Sequence, residues 1–427
     1  MRLGVSGMYQ FYTLSNGLRI GAEVMPQVKS VTAGFFIRAG GMTETAEQNG
    51  ISHFVEHMLF KGTERRSACQ LVQAIDRTGG TLNAFTSDEY TCVYVKTLDR
   101  QIETAVDVLC DMLFHSRLAA EDIALEKKVI GEEISLYEDS PEELVGDLLS
   151  ARTWGDCPAG RPILGTLESV NRLNREELAG YLERFYHPEN MVFAIAGSFT
   201  LSHVISLLEK RMKEKFPPWL PSFPPCPMVF HSGISYQEKE AEQTQLELGL
   251  EGVSRMDPEL YPLLAVNTVF GGSMSSRLFQ KIREEKGLAY SIGSYPICHE
   301  ASGLLVISAG VSPENTRQTV ELMLQEIELL RQEGLSREEI ESSKEQLAGG
   351  YLLGLESTSS RMSHLGKGML LEGGVKTQEE ILSLIDGITP EAAERVIQRV
   401  FTPDAFSLAA AGAVDEWIKA QGESWSE

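Results

Sequence analysis

The segment ISHFVEHMLF, residues 51–60, contains the residues best spaced for chemistry. His53, Glu56 and His57 stand at positions i, i+3 and i+4, which share one face of a helix. Two imidazoles one turn apart can bind a single divalent ion, and the carboxylate between them can then reach a water on that ion. This spacing favours metal binding over the alternative, which is a pair of ordinary histidines beside a surface glutamate.

The order H-x-x-E-H is that of the inverted zinc-peptidase motif, which needs a third protein ligand and one open position. The segment EDIALEKKVIGEEISLYEDSPEELVGDLL, residues 121–149, predicts one long helix with a dense carboxylate face. Its spacing leaves three glutamates open as the third ligand: Glu126, Glu132 and Glu133. The alternative is a solvated acidic helix, which is how most runs of charge end up.

The elements that must position these residues repeat in two halves. Residues 216–227 hold six of the 17 prolines, and this composition predicts an extended linker between residues 1–215 and residues 228–427. Each half predicts strands followed by helices and ends in a proline-led apolar strand, residues 188–197 and 403–412, which are 215 residues apart. We therefore predict an α+β fold of two similar domains, each a mainly antiparallel sheet with helices packed on it.

The sequence HFVEHMLFKGT resembles the zinc helix of the pitrilysin, or insulinase, family of metallopeptidases. The chain is similar over nearly its whole length to the small two-domain branch, which includes the β subunit of mitochondrial processing peptidase and bacterial relatives. The resemblance implies a zinc metalloendopeptidase that binds one Zn²⁺ per chain through His53, His57 and Glu133. Glu56 would accept a proton from the attacking water and return it to the leaving amine. Glu126 matches a carboxylate that supports the site.

The resemblance also implies residues that contact the substrate backbone. The segment GGTLNAFTSDEYTCVYV, residues 79–95, is similar to the family's edge strand, in which Asn83 and Ala84 are the matching contacts. A strand of this kind holds an extended peptide by main-chain hydrogen bonds and makes little demand on its sequence. The alternative is an ordinary strand that ends in a turn at Ser87-Asp88.

Two acidic positions are open to different interpretations. Glu143 and Asp147 match residues that are tied to the recognition of basic substrates in the processing peptidase. Glu143 also belongs to the sequence Ser-Pro-Glu-Glu, residues 140–143, which is typical of a capping box with proline at the first helical position. Both interpretations stand at this stage.

The second half contains the segment FGGSMSSRLFQKIREEKGLAYSIGS, residues 270–294, which predicts a helix that stops near Gly287 and is followed by a strand. It resembles a family segment in which an arginine and a tyrosine seven residues later reach the zinc site. Arg283 and Tyr290 have that spacing. A guanidinium and a phenol can fix a peptide carbonyl and stabilise its developing negative charge. The alternative is a surface salt bridge for Arg283 and a core position for Tyr290.

Composition restricts the partners. The 38 basic and 61 acidic residues give a net charge of −23, which disfavours nucleic acid and favours basic peptides. No apolar run predicts a membrane span or a signal peptide, and none of the six cysteines forms a CxxC pair. We therefore expect a cytoplasmic protein with no membrane or nucleic-acid partner.

The resemblance implies further that the chain is one half of a clamshell. A homodimer around a closed chamber is then expected, with unfolded peptides, some of them basic, as substrates. The alternative function is that of a non-catalytic partner or structural subunit of a related complex. A serine hydrolase has little support because no G-x-S-x-G segment occurs, and a structural zinc site would need a fourth ligand that the matched segments do not offer.

Overall fold

The computed structural model describes residues 4–6, 8–213, 216, 218–219 and 227–424, which form two compact units. The first unit comprises the described residues of Met1–Ile134, Pro162–Pro225 and Leu353–Thr377, and the second comprises those of Ser135–Arg161, Cys226–Leu352 and Gln378–Glu427. Most of the linker predicted at residues 216–227 lies outside the described residues. Each unit contains one mixed sheet with helices packed on it, as the predicted α+β class requires.

The first sheet has seven strands. They are β1 (Gly4–Ser6), β2 (Tyr9–Thr13), β3 (Arg19–Val24), β4 (Ser30–Ile37), β5 (Thr81–Thr86), β6 (Thr91–Leu98) and β7 (Met191–Gly197). Their order is β1-β2-β3-β7-β4-β6-β5, and only β3 and β7 are parallel. The central strands β4 and β7 are buried along almost their whole length, because their near-continuous apolar sequences suit a sheet that is covered on both faces. Strand β5 forms one edge.

The second sheet has six strands. They are β8 (Gly233–Glu238), β9 (Thr244–Glu251), β10 (Ala289–Cys298), β11 (Gly303–Val311), β12 (Phe406–Gly412) and β13 (Glu423–Ser424), in the order β10-β11-β9-β12-β8-β13. When the outer strands β1, β2 and β13 are left out, each sheet keeps five strands. Counted by their order in the chain, these five strands lie side by side in the same order in both sheets: first, fifth, second, fourth and third. The proline-led strands β7 and β12 occupy the same position in this order, so the predicted duplication is confirmed.

The helices follow the strands in both units. In chain order they are α1 (Ile51–Leu59), α2 (Ala68–Asp76), α3 (Ile102–Phe114), α4 (Ala120–Glu138), α5 (Pro141–Trp154), α6 (Leu167–Arg172), α7 (Arg175–Phe185), α8 (Leu201–Arg211), α9 (Leu260–Phe270), α10 (Thr316–Glu333), α11 (Arg337–Gly354), α12 (Thr358–Leu371), α13 (Gln378–Asp386), α14 (Pro390–Val400) and α15 (Glu416–Gln421). A π-helical segment, Phe279–Glu285, precedes β10.

The single long helix predicted for residues 121–149 is wrong. The chain leaves the helical path after α4 and begins α5 at Pro141, because proline has no N–H to continue the preceding helix but fits the first position of a new one. Ser140 precedes α5 as its N-cap, yet its side chain makes no capping bond within the described part of the chain. The capping box proposed for Glu143 is therefore not formed.

Two helices cover a sheet that is built mainly from the other half of the sequence. Helix α5 packs on β9 and β12 of the second sheet, whereas α12 packs on β4 and β7 of the first. A buried hydrogen bond of 2.8 Å joins Thr32 Oγ1 to Thr358 Oγ1 at the start of α12. The packed units thus differ from the continuous ranges 1–215 and 228–427, because each of these two helices packs in the unit formed mainly by the other half of the sequence.

Candidate metal centre

Helix α1 presents its two faces as the sequence predicts. Ile51, Val55, Met58 and Leu59 are buried in the core of the first unit and anchor the helix. The opposite side carries the two histidines and Glu56. Because α1 is fixed by this apolar stripe, its polar side chains are held against the segment that supplies the third candidate ligand.

Three donor groups converge beside α1. The Nε2 atoms of His53 and His57 are 3.1 Å apart. Glu133 Oε2, from α4, lies 3.8 Å from His53 Nε2 and 3.5 Å from His57 Nε2. Ligands of a tetrahedral zinc ion with bonds of about 2.05 Å stand about 3.3 Å from one another, so these three residues fit zinc. They are the one group of donors close enough to hold a metal among the residues that the structure describes.

The electrostatics of the two histidines differ. Burial and the neighbouring His57 lower the pKa of His53 to about 3, so its ring is neutral and has a lone pair to offer. Burial alone would lower the pKa of His57 as well, but its hydrogen bond with Glu126 and the charges of Glu126 and Glu133 raise it. A metal ion is the partner that satisfies two facing imidazole nitrogens and a carboxylate together.

The three glutamates that spacing left open now occupy different places. Glu133 joins the donor group, Glu132 is exposed, and Glu126 is buried behind His57. Glu126 Oε1 lies 2.8 Å from His57 Nδ1, and its carboxylate also pairs with Lys61. Burial would raise the pKa of Glu126, but the bonds with His57 and Lys61 lower it, so the carboxylate is charged. It can therefore orient His57, as acidic partners of zinc-binding histidines commonly do.

Glu56 lies beside the end of edge strand β5. Its Oε2 accepts a 2.6 Å hydrogen bond from the hydroxyl of Thr86, the last residue of that strand. Burial raises the pKa of Glu56, and the charge of Glu133 adds to this rise. A carboxylate whose pKa is raised toward neutrality is better suited to take up and return a proton than an ordinary surface glutamate.

The predicted substrate strand is an edge strand. β5 pairs with β6 on one side only, within the part of the chain that the structure describes, and Asn83 and Ala84 lie in its middle. The Asn83 side chain accepts a 2.9 Å hydrogen bond from the backbone N–H of Ala84. The structure therefore brings the outer side of an edge strand next to Glu56, with the Ala84 N–H bonded to the Asn83 side chain.

Arg283 and Tyr290 lie together in the second unit. Arg283 belongs to the π-helical segment, a rare form that is frequent at functional sites. Its guanidinium carbon is 4.8 Å from the centre of the Phe279 ring and 5.7 Å from that of Tyr290. Tyr290 is 76% exposed, so the core position considered for it is wrong. Arg283 forms no ion pair with any residue that the structure describes.

The acidic positions of α5 have a neighbour that the sequence analysis missed. Glu143 is exposed and Asp147 is half-buried. Glu247, on β9, is buried and accepts a 2.8 Å hydrogen bond from the Tyr295 hydroxyl. Burial raises the pKa of Glu247, and the nearby charge of Asp147 contributes. Strand alternation gave no signal for this burial, because Glu247 lies on the face opposite Leu246 and Leu248, and that face is covered by α5.

Comparison with known proteins defines the class of the chain. Residues 19–167 match the family model described as "Insulinase (Peptidase family M16)", and residues 172–347 match that described as "Peptidase M16 inactive domain". The three donors and Glu56 lie in the first range, and Arg283 and Tyr290 lie in the second. Both domains of an insulinase-type peptidase are therefore present in one chain.

Relatives extend this likeness over almost the whole sequence. The "Uncharacterized zinc protease YmxG" of Bacillus subtilis is 42% identical over 404 residues, which cover 93% of this chain and 97% of that protein. An uncharacterized zinc protease of Streptomyces coelicolor is 37% identical over 395 residues, covering 91% and 86% of the two chains. The chain belongs to the M16, or insulinase, family and to its small two-domain branch.

Solved structures show the same fold. A protease from Helicobacter pylori superposes with a TM-score of 0.87 at 18% identity, over 95% of this chain and 99% of that one. A structure described as a peptidase M16 inactive domain, from Pseudomonas fluorescens, has the same TM-score and identity over 95% and 98% of the two chains. No helix in the described part of this chain is both long enough and apolar enough to cross a membrane.

Proposed function

We propose that the protein is a zinc-dependent endopeptidase that cleaves unfolded peptides. The observation that carries the proposal is the convergence of His53, His57 and Glu133 beside Glu56 and an open strand edge. The relatives named zinc proteases support the same assignment. His53, His57 and Glu133 would hold one Zn²⁺ per chain.

The residues of α1 and α4 have separate tasks in this reaction. Zinc, when bound, supplies a water of lowered pKa and a Lewis acid for the scissile carbonyl. Glu56 takes the proton of the attacking water and returns it to the amine that leaves. Glu126 holds His57 in one orientation through Nδ1, which directs Nε2 toward the other donors.

An extended substrate would pair with β5. Its backbone would form main-chain hydrogen bonds along Asn83 and Ala84, which places the scissile bond near Glu56 without a strict demand on sequence. Glu143, which is exposed, and Asp147, which is half-buried, would favour basic side chains in the peptide. Comparing a basic peptide with a neutral peptide of the same length measures that preference.

We propose that Arg283 and Tyr290 bind the substrate carbonyl. We also propose that the chain forms a homodimer around a closed chamber. The exposed phenol and the guanidinium, which stacks on aromatic rings, are both available as donors. Mixing Glu56→Gln chains with Arg283→Ala chains tests the sharing of sites between subunits. Recovered activity in the mixture supports sharing, and no recovery contradicts it. A cytoplasmic location also stays a prediction.

Peptide cleavage with and without a chelator tests the proposed function directly. The expected result is cleavage that chelation abolishes and added zinc restores, with mass analysis of the products identifying the bond that is cut. Zinc content is measured in parallel. A protein with stoichiometric zinc that cleaves none of a varied set of basic and neutral peptides would contradict the proposal and favour the alternative, a non-catalytic partner subunit.

A further inference from the structure

A buried carboxylate lies at the beginning of the helix that carries both histidines. Glu44 is 4% exposed, and its Oε1 accepts a 2.8 Å hydrogen bond from the backbone N–H of Ser52. Its Oε2 accepts from the backbone N–H of Gly50, at 2.8 Å, and from Asn49 Nδ2, at 3.1 Å. Burial raises the pKa of Glu44 to about 7, and these hydrogen bonds oppose the rise. The zinc chemistry proposed above does not use this group.

Glu44 supplies a cap that α1 cannot provide for itself. The N-cap residue is Gly50, at a φ of 88°, and it has no side chain to accept a bond from the first turn. A larger residue would not fit there, because a Cβ on Gly50 would lie 2.6 Å from the carbonyl oxygen of Leu164. The first N–H groups of a helix need acceptors, and a carboxylate at this end also complements the helix dipole.

A second contact fixes the same turn from its side-chain face. The hydroxyls of Ser52 and Tyr181 are 2.6 Å apart, and that of Tyr181 is 3.0 Å from Thr43 Oγ1. Ser52 and Tyr181 are both buried, and Thr43 precedes Glu44 in the chain. The backbone and the side chain of Ser52 are thus both held, and Ser52 is the residue directly before His53.

We propose that Glu44 is a positioning residue that fixes the first turn of α1 and so sets His53 in place to bind zinc. The inference rests on the proposed function for its metal site. His53 is the third residue of a helix of only nine, so a frayed first turn displaces this ligand directly. His57, one turn further on, depends less on the cap because Glu126 holds its ring.

The test compares Glu44→Gln with a cap variant of a helix that carries no ligand. Gln has nearly the same shape as Glu, but its amide N–H₂ replaces one of the two acceptor oxygens and so faces N–H donors. Thr389→Ala removes the cap of α14, where the Thr389 hydroxyl accepts a 3.2 Å bond from the N–H of Ala392. Zinc affinity is measured with zinc alone by competition with a chromogenic chelator, and thermal unfolding is measured without metal.

We expect Glu44→Gln to bind zinc about tenfold more weakly, whereas Thr389→Ala loses stability at unchanged zinc affinity. If both variants lose stability and neither loses zinc affinity, the cap is merely structural and the inference is overturned. At saturating zinc, Glu44→Gln should regain most of its peptidase activity. Wild-type protein that binds no zinc overturns the proposed function and this inference together, while wild-type affinity in folded Glu44→Gln overturns the inference alone.

Tyr181→Phe keeps the experiment decisive if Glu44→Gln does not fold. The substitution removes the Tyr181 hydroxyl that bonds to Ser52 Oγ, and it leaves the aromatic ring to fill the core. We expect about threefold weaker zinc binding, a smaller loss because the carboxylate still holds the backbone of the turn. Unchanged zinc affinity in folded Tyr181→Phe, together with a Glu44→Gln chain that does not fold, would assign the whole network to folding and overturn the inference.

Discussion

The two units share a strand order but differ in the helix that follows their second matching strand. In the first unit this helix is α1, with His53, Glu56 and His57 on its polar side; in the second it is α9, LYPLLAVNTVF. The buried polar residue of α9 is Asn267, whose side chain exchanges hydrogen bonds with Ser294. The sheet and its apolar helix face are thus sufficient for the fold, whereas the candidate metal centre needs the two histidines of α1 together with Glu133 of α4.

The comparison breaks most clearly when a polar residue of α1 and one of α9 are each replaced by alanine. We expect His53→Ala to lower kcat/KM by about 10³-fold or more, because both zinc binding and the activated water are lost. Asn267→Ala should keep zinc and activity but lose about 1–3 kcal/mol of stability, since its Ser294 partner is left unsatisfied. Zinc content, peptide cleavage and thermal unfolding of both variants measure these effects. A fully active His53→Ala chain would refute the centre.

Glu56→Gln separates the chemistry of α1 from its metal binding. The expected result is a fall in kcat of about 10²–10⁴-fold with zinc content unchanged, because Gln cannot take up the proton of the attacking water. Single-turnover cleavage with metal analysis on the same sample measures both quantities. Zinc loss together with activity loss would mean that Glu56 helps to hold the metal, and undiminished kcat would remove it from the mechanism.

Glu126→Gln distinguishes the candidate zinc ligands from Glu126, which orients one of them. We expect zinc affinity to fall about 10–100-fold, because the bond that orients His57 Nδ1 loses its charge. Glu132→Gln is the matched control on the same helix, since Glu132 is exposed and lies outside the donor group. Chelator competition measures both variants. Equal affinities in the two would show that the carboxylate behind His57 has no influence on the metal.

A last pair of variants compares α5 and α12, the two helices that pack on a sheet built mainly from the other half of the sequence. A Cβ on Gly366 of α12 would lie 2.2 Å from the Phe36 ring, so Gly366→Ala should cost about 1–3 kcal/mol of stability. A Cβ on Gly146 of α5 would meet Glu247 Oε2 at an ordinary 3.6 Å, so Gly146→Ala should be neutral or stabilise by up to about 1 kcal/mol. Denaturant unfolding measures both. Equal costs would contradict the tighter packing of α12.

Local spacing predicted much of the fold and part of the site. The histidine pair and the matching strands β7 and β12 follow from periodicity and turn chemistry within short windows of sequence, whereas the edge position of β5 was implied only by the family resemblance. Spacing could not choose among the glutamates of α4, because all three lie on one charged helix and only the position of α4 against α1 separates them. Glu44 and the exchange of α5 and α12 depend on contacts between distant segments, which no local pattern encodes.

The exchange of these helices has a consequence for the order of folding during synthesis. The apolar face of the first sheet that includes Phe36, Val192 and Ala194 packs with Met362 and Leu365 of α12. A growing chain therefore displays that face until most of the 427 residues have left the ribosome. The unit with the candidate metal centre is thus begun first but completed late, and a chaperone that binds exposed apolar strands would act in this interval.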